Sequence, residues 1–276
     1  MKIKIVTDSS ADIKELSGVE FESVPLKIIT DEKEYVDDSS LDVVGMLRDL
    51  KAYKGKSRSS CPSSGEYMDA FGDADGVFVV TITSGLSGSC NSANAAANLF
   101  LEASPEKKVH VIDSLSTGPE NALLAEKVRD LILDGCDFDS IKKEIVEYHN
   151  HTRLIFALES MNNLANNGRV SHLKAKMAGM LGIRAIGRAS EEGTLDMICK
   201  SRGPLNAAND ILANMISDGY KGGRAKIHHA DNLPAAKLLE GKILEKFADA
   251  KVEIAPAGGL CSFYAEQGGV LVGFEI

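Results

Sequence analysis

Residues 76–103 read GVFVVTITSGLSGSCNSANAAANLFLEA, and their pattern predicts a strand, a turn and a helix in immediate succession. The first eight residues are mostly apolar and β-branched, which is typical of a buried strand. Glycine and serine fill the turn, and the alanine-rich segment beyond it favours a helix. Four serine hydroxyls, one thiol and two glycines lie between Ser84 and Ser92, and none of these residues is charged.

The same alternation of strand and helix patterns continues along nearly all of the 276 residues. It predicts an α/β fold with largely parallel sheets flanked by helices. The helices expected at 119–133 and 138–149 have no strand between them, so we expect two tightly packed α/β domains, residues 1–150 and 151–276. Strands are expected at 3–8, 23–30, 76–83, 108–113, 153–158, 194–200, 225–230 and 251–257, and further helices at 41–53, 88–103, 171–181, 204–217 and 233–247.

Composition and charge exclude several classes of protein. A net charge of −9 argues against a nucleic acid or an anionic membrane surface as the main partner. No apolar run approaches the ~20 residues of a membrane helix, so no stable membrane insertion is expected. The start, MKIKIVTD, turns polar too soon for a signal peptide. Five cysteines without CxxC spacing predict reduced thiols in a cytoplasmic protein, not disulfides or a zinc site.

Three strands of the first half end in clusters of hydroxyl and carboxylate side chains. The carboxyl ends of parallel strands lie along one edge of a sheet, where ligands bind. Ser9, Ser87 and Ser114 are therefore candidates for lining one cleft. Serine, threonine and aspartate are also the preferred helix N-caps, so capping alone explains each turn taken singly. The three segments are VTDSSAD at 6–12, TITSGLSGS at 81–89 and VIDSLSTG at 111–118.

The helix start at 87–90 favours an anionic ligand. With Ser87 as the N-cap, Gly88 opens a first turn that has unpaired backbone N–H groups and the positive end of the helix dipole. Helices commonly place an acid there, yet the first acid in this helix is Glu102. A nucleotide phosphate would call for a lysine, and neither GxxxxGK[ST] nor GxGxxG is present. The turn therefore favours a ligand carboxylate, and neither a cofactor nor a metal is expected.

Two further turns carry polar side chains of interest. SRSSCPSSGEYMDAF at 57–71 places Ser59 before a proline and the start of a helix. Capping alone also explains this loop. In NNGRVS at 166–171, Arg169 follows a glycine at a tight turn, a position that is often simply exposed. The helix expected at 171–181 carries methionines, which suit a flexible apolar ligand and are also ordinary core residues.

Taken together, these segments resemble the DegV family, the bacterial fatty-acid-binding proteins that act as acyl-carrying subunits of fatty acid kinase. The resemblance covers essentially the whole chain. SGLSGSCNSA at 84–93 is similar to the family's SSxLSGTYxSA segment, and SSCPSSGEY at 59–67 stands where the family has a TSQPS-like segment. The other similar segments, in order, are TDSSADI at 7–13, VIDSLSTG at 111–118, NNGRVS at 166–171, LGIRAI at 181–186 and HHADN at 228–232.

The resemblance implies a two-domain protein that holds a long-chain fatty acid, such as palmitate or oleate, between or within its domains. It implies that the C-terminal domain contributes to the acyl-chain pocket. Ser59 and Ser87 would hold the carboxylate, and Arg169 would help to bind the head group or its phosphate. A kinase partner would phosphorylate the bound carboxylate, so this protein would present the substrate and would not be the phosphoryl-transfer enzyme.

Two positions depart from the family pattern. Ser59 stands where the family usually has a threonine, and serine keeps the hydroxyl donor. The family has a histidine near the head group, whereas this chain, aligned backwards from VGF at 272–274, has Tyr264. Tyrosine donates a hydrogen bond to a carboxylate but does not titrate near neutral pH. The expected ligand-binding residues are Ser59, Ser87, Gly88, Arg169, Tyr264, Ser9 and Ser114.

A serine hydrolase acting on acyl esters is an alternative. GLSGS at 85–89 is a near match to the GxSxG nucleophile elbow, in the same strand–turn–helix context. Ser87 would be the nucleophile, and His228 or His229, at a strand end, would be the base. The sequence identifies no aspartate to orient either histidine.

A thiol function is a further alternative. Cys61, Cys90 and Cys261 all fall within the expected site segments. Cys90 is expected in the first turn of a helix, where the pKa of a thiol is lowered. Small buried cysteines are also ordinary core residues, and that interpretation needs no function.

Overall fold

Over the residues that the structure describes, 1–170 and 182–276, the fold consists of two large β-sheets and one small sheet with helices packed on them. In this computed structural model, the helix expected at 171–181 lies outside the described residues. The first-half strands are β1 (Ile3–Asp8), β2 (Glu20–Val24), β3 (Lys27–Ile29), β4 (Glu34–Val36), β5 (Arg58–Ser60), β6 (Gly76–Thr81) and β7 (Lys108–Asp113). The first-half helices are α1 (Val43–Ala52), α2 (Ser64–Phe71), α3 (Ser89–Ala103), α4 (Pro119–Leu133) and α5 (Phe138–Asn150).

The second half again mixes strands and helices. Its strands are β8 (Thr152–Leu158), β9 (Ile183–Ala189), β10 (Leu195–Arg202), β11 (Arg224–His229), β12 (Lys251–Pro256) and β13 (Val270–Glu275). Its described helices are α6 (Asn162–Asn166), α7 (Pro204–Ser217), α8 (Leu233–Lys246) and α9 (Gly259–Ala265). No helix within the described part of the chain has the length and apolarity needed to span a bilayer.

The first sheet has the order β2–β1–β6–β7, and each of its pairings is parallel. β6 belongs to the stretch 76–103 and is buried along its whole length, which explains its run of apolar residues. Phe78 and Val80 pack in the cluster that includes α4, whereas Val77 and Val79 pack in the cluster that includes α3. The predicted α/β fold is confirmed, and the ends of β1, β6 and β7 lie along one edge of the sheet.

The second sheet has the order β10–β9–β8–β13–β11–β12 and is mainly antiparallel. Within the described residues, its one parallel pair is β11–β12. This differs from the largely parallel sheet expected for residues 151–276. The reason is that β9 and β10 form a hairpin with no crossover helix, and β13 returns from the end of the chain to lie between β8 and β11.

Helix α4 joins the two large sheets. It packs against β1 and β6 on one side and against β8, β11 and β13 on the other. Gly273 in β13 permits the close approach, because a Cβ there would lie 2.5 Å from the backbone nitrogen of Glu120. The predicted boundary at residue 150 falls between α5 and β8, and the division into domains 1–150 and 151–276 stays a prediction.

The small sheet, in the order β4–β3–β5, brings a distant part of the chain to the boundary between the halves. Both of its pairings are antiparallel, and Ile28 of β3 lies opposite Ser59 of β5. Ile28 also packs in a buried cluster with Phe263 of α9. The sheet therefore places Ser59 beside a helix from the C-terminal end of the chain.

Candidate functional site

An apolar pocket lies between the two halves, where α9, β8 and the turn after β6 meet. It encloses about 670 Å³ of empty space, its open mouth included. Leucine and phenylalanine side chains form most of its wall. Side chains at every second position of a strand face the same side. Three alternate residues of β8 therefore line this wall. These three are Leu154, Phe156 and Leu158.

One end of the pocket is polar because a hydroxyl pair lies there. Ser59 Oγ and Tyr264 Oη are 2.7 Å apart, and both side chains line the pocket. Either oxygen can donate in this bond. The pair has two hydroxyl hydrogens and uses one of them internally, so the other is available to a ligand.

Ser87 supplies a second donor at the same pocket. Its Oγ accepts a hydrogen bond from the backbone N–H of Ser89 at 3.3 Å, which leaves its own hydrogen available. Helix α3 begins at Ser89, with Gly88 as the N-cap and no side-chain cap. Ser87 was expected to be the cap itself, so the helix starts one residue later than predicted, within the usual uncertainty of helix ends.

Arg169 brings a positive charge to the polar end. Its guanidinium donates to the carbonyl oxygens of Asn167 at 2.6 Å and Leu86 at 3.3 Å. The guanidinium carbon lies 5.7 Å from the centre of the Tyr264 ring, within the range of a cation–π contact. Arg169 is thus held by backbone oxygens, and it lines the pocket without a carboxylate partner among the described residues.

Burial raises the pKa of Tyr264, and the Ser59 hydrogen bond and the Arg169 charge oppose this rise only in part. The phenol therefore stays protonated and remains a donor at neutral pH. No aspartate or glutamate is among the described residues that line the pocket. A ligand carboxylate would meet hydroxyl donors and one cation there, with no nearby acid to repel it.

The structure does not bring every expected residue to this pocket. Ser9 Oγ accepts from the backbone N–H of Leu26 at 3.0 Å and is buried behind the wall. Ser114 Oγ closes a local turn by donating to the carbonyl of Ser116 at 3.0 Å, and it lines a separate polar cleft. Gly88 lies beside Cys61 and is not a lining residue. Ser114 follows the local-capping interpretation, whereas the Ser9 hydroxyl binds the backbone of Leu26, 17 positions along the chain.

The three strand ends are tied together, although only two of them line the pocket. Asp8, at the end of β1, is fully buried and accepts from Ile82 N at 2.9 Å and from Ser89 Oγ at 2.6 Å. Burial raises the pKa of this carboxyl, while four hydrogen bonds to it act in the opposite direction. Asp8 therefore fixes the position of the turn that carries Ser87. The first turn of α3 contains no acid, and its Ser89 donates the hydrogen bond that connects it to Asp8.

A buried acid–histidine pair crosses the boundary between the halves. His228 Nδ1 lies 2.8 Å from Asp12 Oδ2, and the other Asp12 oxygen accepts from Gly258 N at 2.8 Å. The sequence identified no such acid for His228. Neither His228 nor any other histidine is among the described lining residues, so Ser87 has no base beside it at this pocket. The hydrolase alternative receives no support from this arrangement.

Neither Cys90 nor Cys261 is an activated thiol. Burial raises the pKa of Cys90, the opposite of the lowering expected at a helix start. Burial also raises the pKa of Cys261, which lines the pocket, well above its usual range. Both thiols therefore stay protonated near neutral pH and behave as small core residues. Within the described residues, no cluster of three or more His, Cys, Asp or Glu side chains could hold a metal ion.

Most of the apolar wall was not singled out by the sequence patterns. The alternation of large apolar residues in β8 was a usable signal, because it identifies one continuous apolar face. The hydroxyl-rich turns supply three more lining residues, Ile82, Leu86 and Thr117. The motifs of these turns are defined by their serines and aspartates, so they did not identify these three. Leu26, Leu195, Leu260 and Leu271 line the pocket from four separate segments, and nothing local distinguishes them from other core leucines.

The fold and the pocket together indicate an α/β protein with two large sheets and, between its halves, an open-mouthed apolar pocket that carries hydroxyl donors and an arginine. Such a pocket suits an amphipathic ligand with a long apolar part and a small anionic head. The profile of the family described as "Uncharacterised protein, DegV family" matches residues 2–275. The chain belongs to the DegV family.

Similar proteins extend over the whole chain. A DegV domain-containing protein of Streptococcus pneumoniae is 43% identical over 280 residues, and one of Streptococcus gordonii is 41% identical, each alignment covering 100% of both chains. A solved DegV family protein from Eubacterium eligens, loaded with heptadecanoic acid, has a TM-score of 0.96 and 44% identity, covering 99% of each chain. The Fatty Acid Kinase (Fak) B3 protein of Streptococcus pneumoniae, loaded with linoleic acid, has a TM-score of 0.97 and 43% identity, covering 100% of each.

Proposed function

We propose that this protein binds one long-chain fatty acid, such as palmitate or oleate, and presents its carboxylate to a fatty acid kinase. The observation that carries the proposal is a single pocket that is apolar along its wall and polar at one end. Solved relatives loaded with heptadecanoic and linoleic acids support this assignment. The carboxylate lies at the Ser59–Tyr264 pair, within reach of Ser87 and Arg169, and the chain lies against β8.

The two parts of the pocket have different roles. Each methylene buried against the wall contributes about 0.8 kcal/mol, so the chain supplies most of the affinity. The carboxylate accepts from the hydroxyls of Ser87 and of the Ser59–Tyr264 pair, and Arg169 adds electrostatic attraction. The polar end therefore sets the orientation of the fatty acid and selects an acid over a neutral lipid.

The site binds and presents its ligand without supplying the phosphoryl-transfer chemistry. Its polar end offers donors and a cation, which stabilise a carboxylate and the acyl phosphate formed from it alike. Phosphorylation of the carboxylate yields an acyl phosphate, and the phosphoryl donor is supplied by the partner kinase. The name of the similar Fak B3 protein supports such a partnership. Five free thiols are consistent with the cytoplasmic setting that we propose.

The binding proposal is tested by the protein's lipid content. Protein purified from a bacterial host should carry close to one long-chain fatty acid per chain, visible as a mass increment in native mass spectrometry and identified after lipid extraction. Delipidated protein should take up added palmitate or oleate to the same stoichiometry. An empty protein that also takes up neither acid would overturn the proposal.

The presentation step has its own readout with the same loaded protein. Incubation with a fatty acid kinase and ATP should convert the bound acid to an acyl phosphate, which hydroxylamine traps as a hydroxamate. A Ser87→Ala variant, which loses one donor to the carboxylate, should form less hydroxamate per bound acid. Tight binding without any hydroxamate would contradict presentation while leaving fatty acid binding intact.

A further inference from the structure

Thr83 lies at the base of the turn that presents Ser87. Its backbone N–H, its carbonyl and its hydroxyl all form hydrogen bonds with this turn or with neighbouring segments. Its backbone N–H donates to the carbonyl of Ser116 at 2.9 Å. Its carbonyl accepts from Leu86 N at 3.3 Å and from Ser87 N at 3.2 Å. Its hydroxyl accepts from Gly85 N at 3.1 Å. Thr83 is 1% exposed, so these bonds are made away from solvent.

The same hydroxyl reaches across to the other half of the protein. Thr83 Oγ1 donates to the carbonyl of Gly193 at 2.8 Å, a contact between residues 110 positions apart in the chain. Gly193 lies in the turn that joins β9 to β10, and this turn is closed by the Ser190 N–H, which donates to the Thr194 carbonyl at 2.8 Å. The β9–β10 hairpin thus holds the head-group turn at its base.

The contact is too close for any side chain at either glycine. A Cβ added to Gly193 would lie 2.1 Å from Thr83 Oγ1, and one added to Gly85 would lie 2.6 Å from the Gly193 carbonyl oxygen. Gly193 also has a φ of +73°, which side-chain-bearing residues rarely adopt. The two backbones therefore meet directly, and the threonine hydroxyl is bonded to both of them.

The held turn fixes both kinds of head-group contact. Ser87 follows Leu86, whose carbonyl accepts from Arg169 Nε at 3.3 Å. A shift of the turn would therefore move the Ser87 donor and the guanidinium support together. Because a hydrogen bond to a carboxylate weakens quickly as its direction changes, a small shift of this turn affects recognition of the head more than that of the chain, although Leu86 of the turn also lines the apolar wall.

We propose that Thr83 is the positioning residue of the carboxylate site, bonded by the β9–β10 hairpin so that Ser87 and Arg169 face the ligand head. This inference rests on the proposed fatty acid binding. Thr83 does not line the pocket, so it acts through the turn and through no contact with the ligand.

The test compares the affinity for palmitate with that for hexadecanol, which has the same chain and no charge, by displacement of a fluorescent long-chain acid. Thr83→Val keeps the shape of the side chain and removes both hydroxyl bonds. It should weaken palmitate binding about tenfold, the loss of one well-directed bond to a charged group, and leave hexadecanol binding within about twofold. Thr83→Ser, which keeps the hydroxyl, should behave like the wild type.

Thr81→Val is the matched control. Thr81 is fully buried at the end of β6, two residues before Thr83, and its hydroxyl donates to the Ile112 carbonyl at 3.4 Å and not to the β9–β10 hairpin. The ratio of palmitate affinity to hexadecanol affinity in Thr81→Val should equal that of the wild type. If Thr83→Val does not fold, Gly193→Ala displaces the hairpin from Thr83 and should lower the same ratio.

The outcomes separate this inference from the proposed function. Wild-type protein that binds neither palmitate nor hexadecanol would show that fatty acid binding itself is wrong. Wild-type protein that prefers palmitate, with an unchanged ratio in folded Thr83→Val or Gly193→Ala, would overturn the role of Thr83 and leave fatty acid binding standing.

Discussion

Tyr264 is the residue at which this chain differs from the histidine of the DegV resemblance, and the structure gives its hydroxyl a defined partner. It bonds Ser59 Oγ at 2.7 Å, and Arg169 lies against its ring. Burial raises the pKa of Tyr264, so its hydroxyl keeps its hydrogen across the neutral and mildly alkaline range. Tyrosine therefore replaces a titratable group with a donor that does not depend on pH.

Replacing Tyr264 by histidine should make head-group binding depend on pH. With Tyr264→His, an imidazolium attracts the carboxylate at about pH 6, and this attraction is lost as the pH rises through the histidine pKa of about 6.5. The palmitate-to-hexadecanol affinity ratio should therefore fall between about pH 6 and pH 8 in the variant relative to the wild type. Fluorescent displacement at several pH values measures both ratios.

Tyr264→Phe provides the control for that experiment. It removes the hydroxyl without adding a titratable group, so its ratio should be lower than that of the wild type and should follow the wild-type pH profile. A histidine variant with that same profile would show that position 264 does not contact the carboxylate.

Among single residues, the sequence identified pocket-lining side chains where a short motif contains them. Ser59, Ser87 and Arg169 were identified through short motifs, and all three line the pocket. Ser9 and Ser114 belong to similar motifs, but their hydroxyls bind backbone groups and neither residue lines this pocket. A hydroxyl that caps a turn and one that faces a ligand have the same local sequence, so only the position of the surrounding chain distinguishes them.

Helix α9 carries Tyr264, and a buried carboxylate fixes the start of this helix. Asp37 accepts from Gly259 N at 2.6 Å and from Leu260 N at 2.8 Å. Burial is the main cause that raises the pKa of Asp37 to about 6, and the nearby Asp12 charge adds to the rise. The position of the element that completes the head-group site therefore depends on an acid from the loop after β4.

Asp37 should make the protein more stable as the pH falls below neutrality. Its pKa is raised on folding from 3.8 to about 6, so the folded state binds the proton more tightly than the unfolded state. Its contribution is present below about pH 4 and is lost as the pH rises through about 6. Between about pH 7 and pH 5, the wild type should gain about 1 kcal/mol of unfolding free energy relative to Asp37→Asn.

Denaturant unfolding at the two pH values measures this difference, and Asp38→Asn is the neighbouring control. Asp38 is exposed, and the Ser40 hydroxyl lowers the pKa of its carboxyl, so its contribution to stability is lost only as the pH falls through that lowered value. The Asp38 variant should therefore keep the wild-type gain. An Asp37→Asn variant that keeps it as well would contradict the assignment.

At the scale of the whole molecule, ion pairs join the halves beside the shared helix α4. Glu126 of α4 pairs with Arg224 and with Lys226 of β11, the latter at 2.7 Å. The side chains of Glu126 and Lys226 are 13% and 9% exposed, so water screens this pairing little. The pocket lies between the same two halves, and its shape depends on their being held together.

Glu126→Gln should destabilise the whole protein. Among the described residues, Arg224 would keep only the more exposed Asp130 as its acid partner, and Lys226 only Glu253, so the loss should be about 2 kcal/mol of unfolding free energy. Denaturant unfolding should show this loss. Glu245→Gln breaks an exposed pair with Lys242 and should leave the midpoint nearly unchanged. A Glu126 variant no less stable than the Glu245 variant would show that the network does not hold the halves.

Local sequence patterns were sufficient to predict the α/β class, the central buried strand at 76–81 and the acid-free helix start. These features follow from the period and chemistry of neighbouring residues, which act over a few positions of the chain. The sequence also carried the motifs by which the DegV family is identified. It did not determine the antiparallel pairing of the second sheet, because strand neighbours in space need not be neighbours in the chain.

Which polar groups share the pocket depends on contacts between distant parts of the chain. Ser59 and Tyr264 are 205 positions apart, and Thr83 and Gly193 are 110 positions apart, yet each pair is hydrogen-bonded. Such contacts depend on how two sheets pack on α4, and no local pattern encodes that packing. The hydroxyls were thus visible in the sequence, whereas their assembly into one head-group site results from long-range burial of the apolar faces around them.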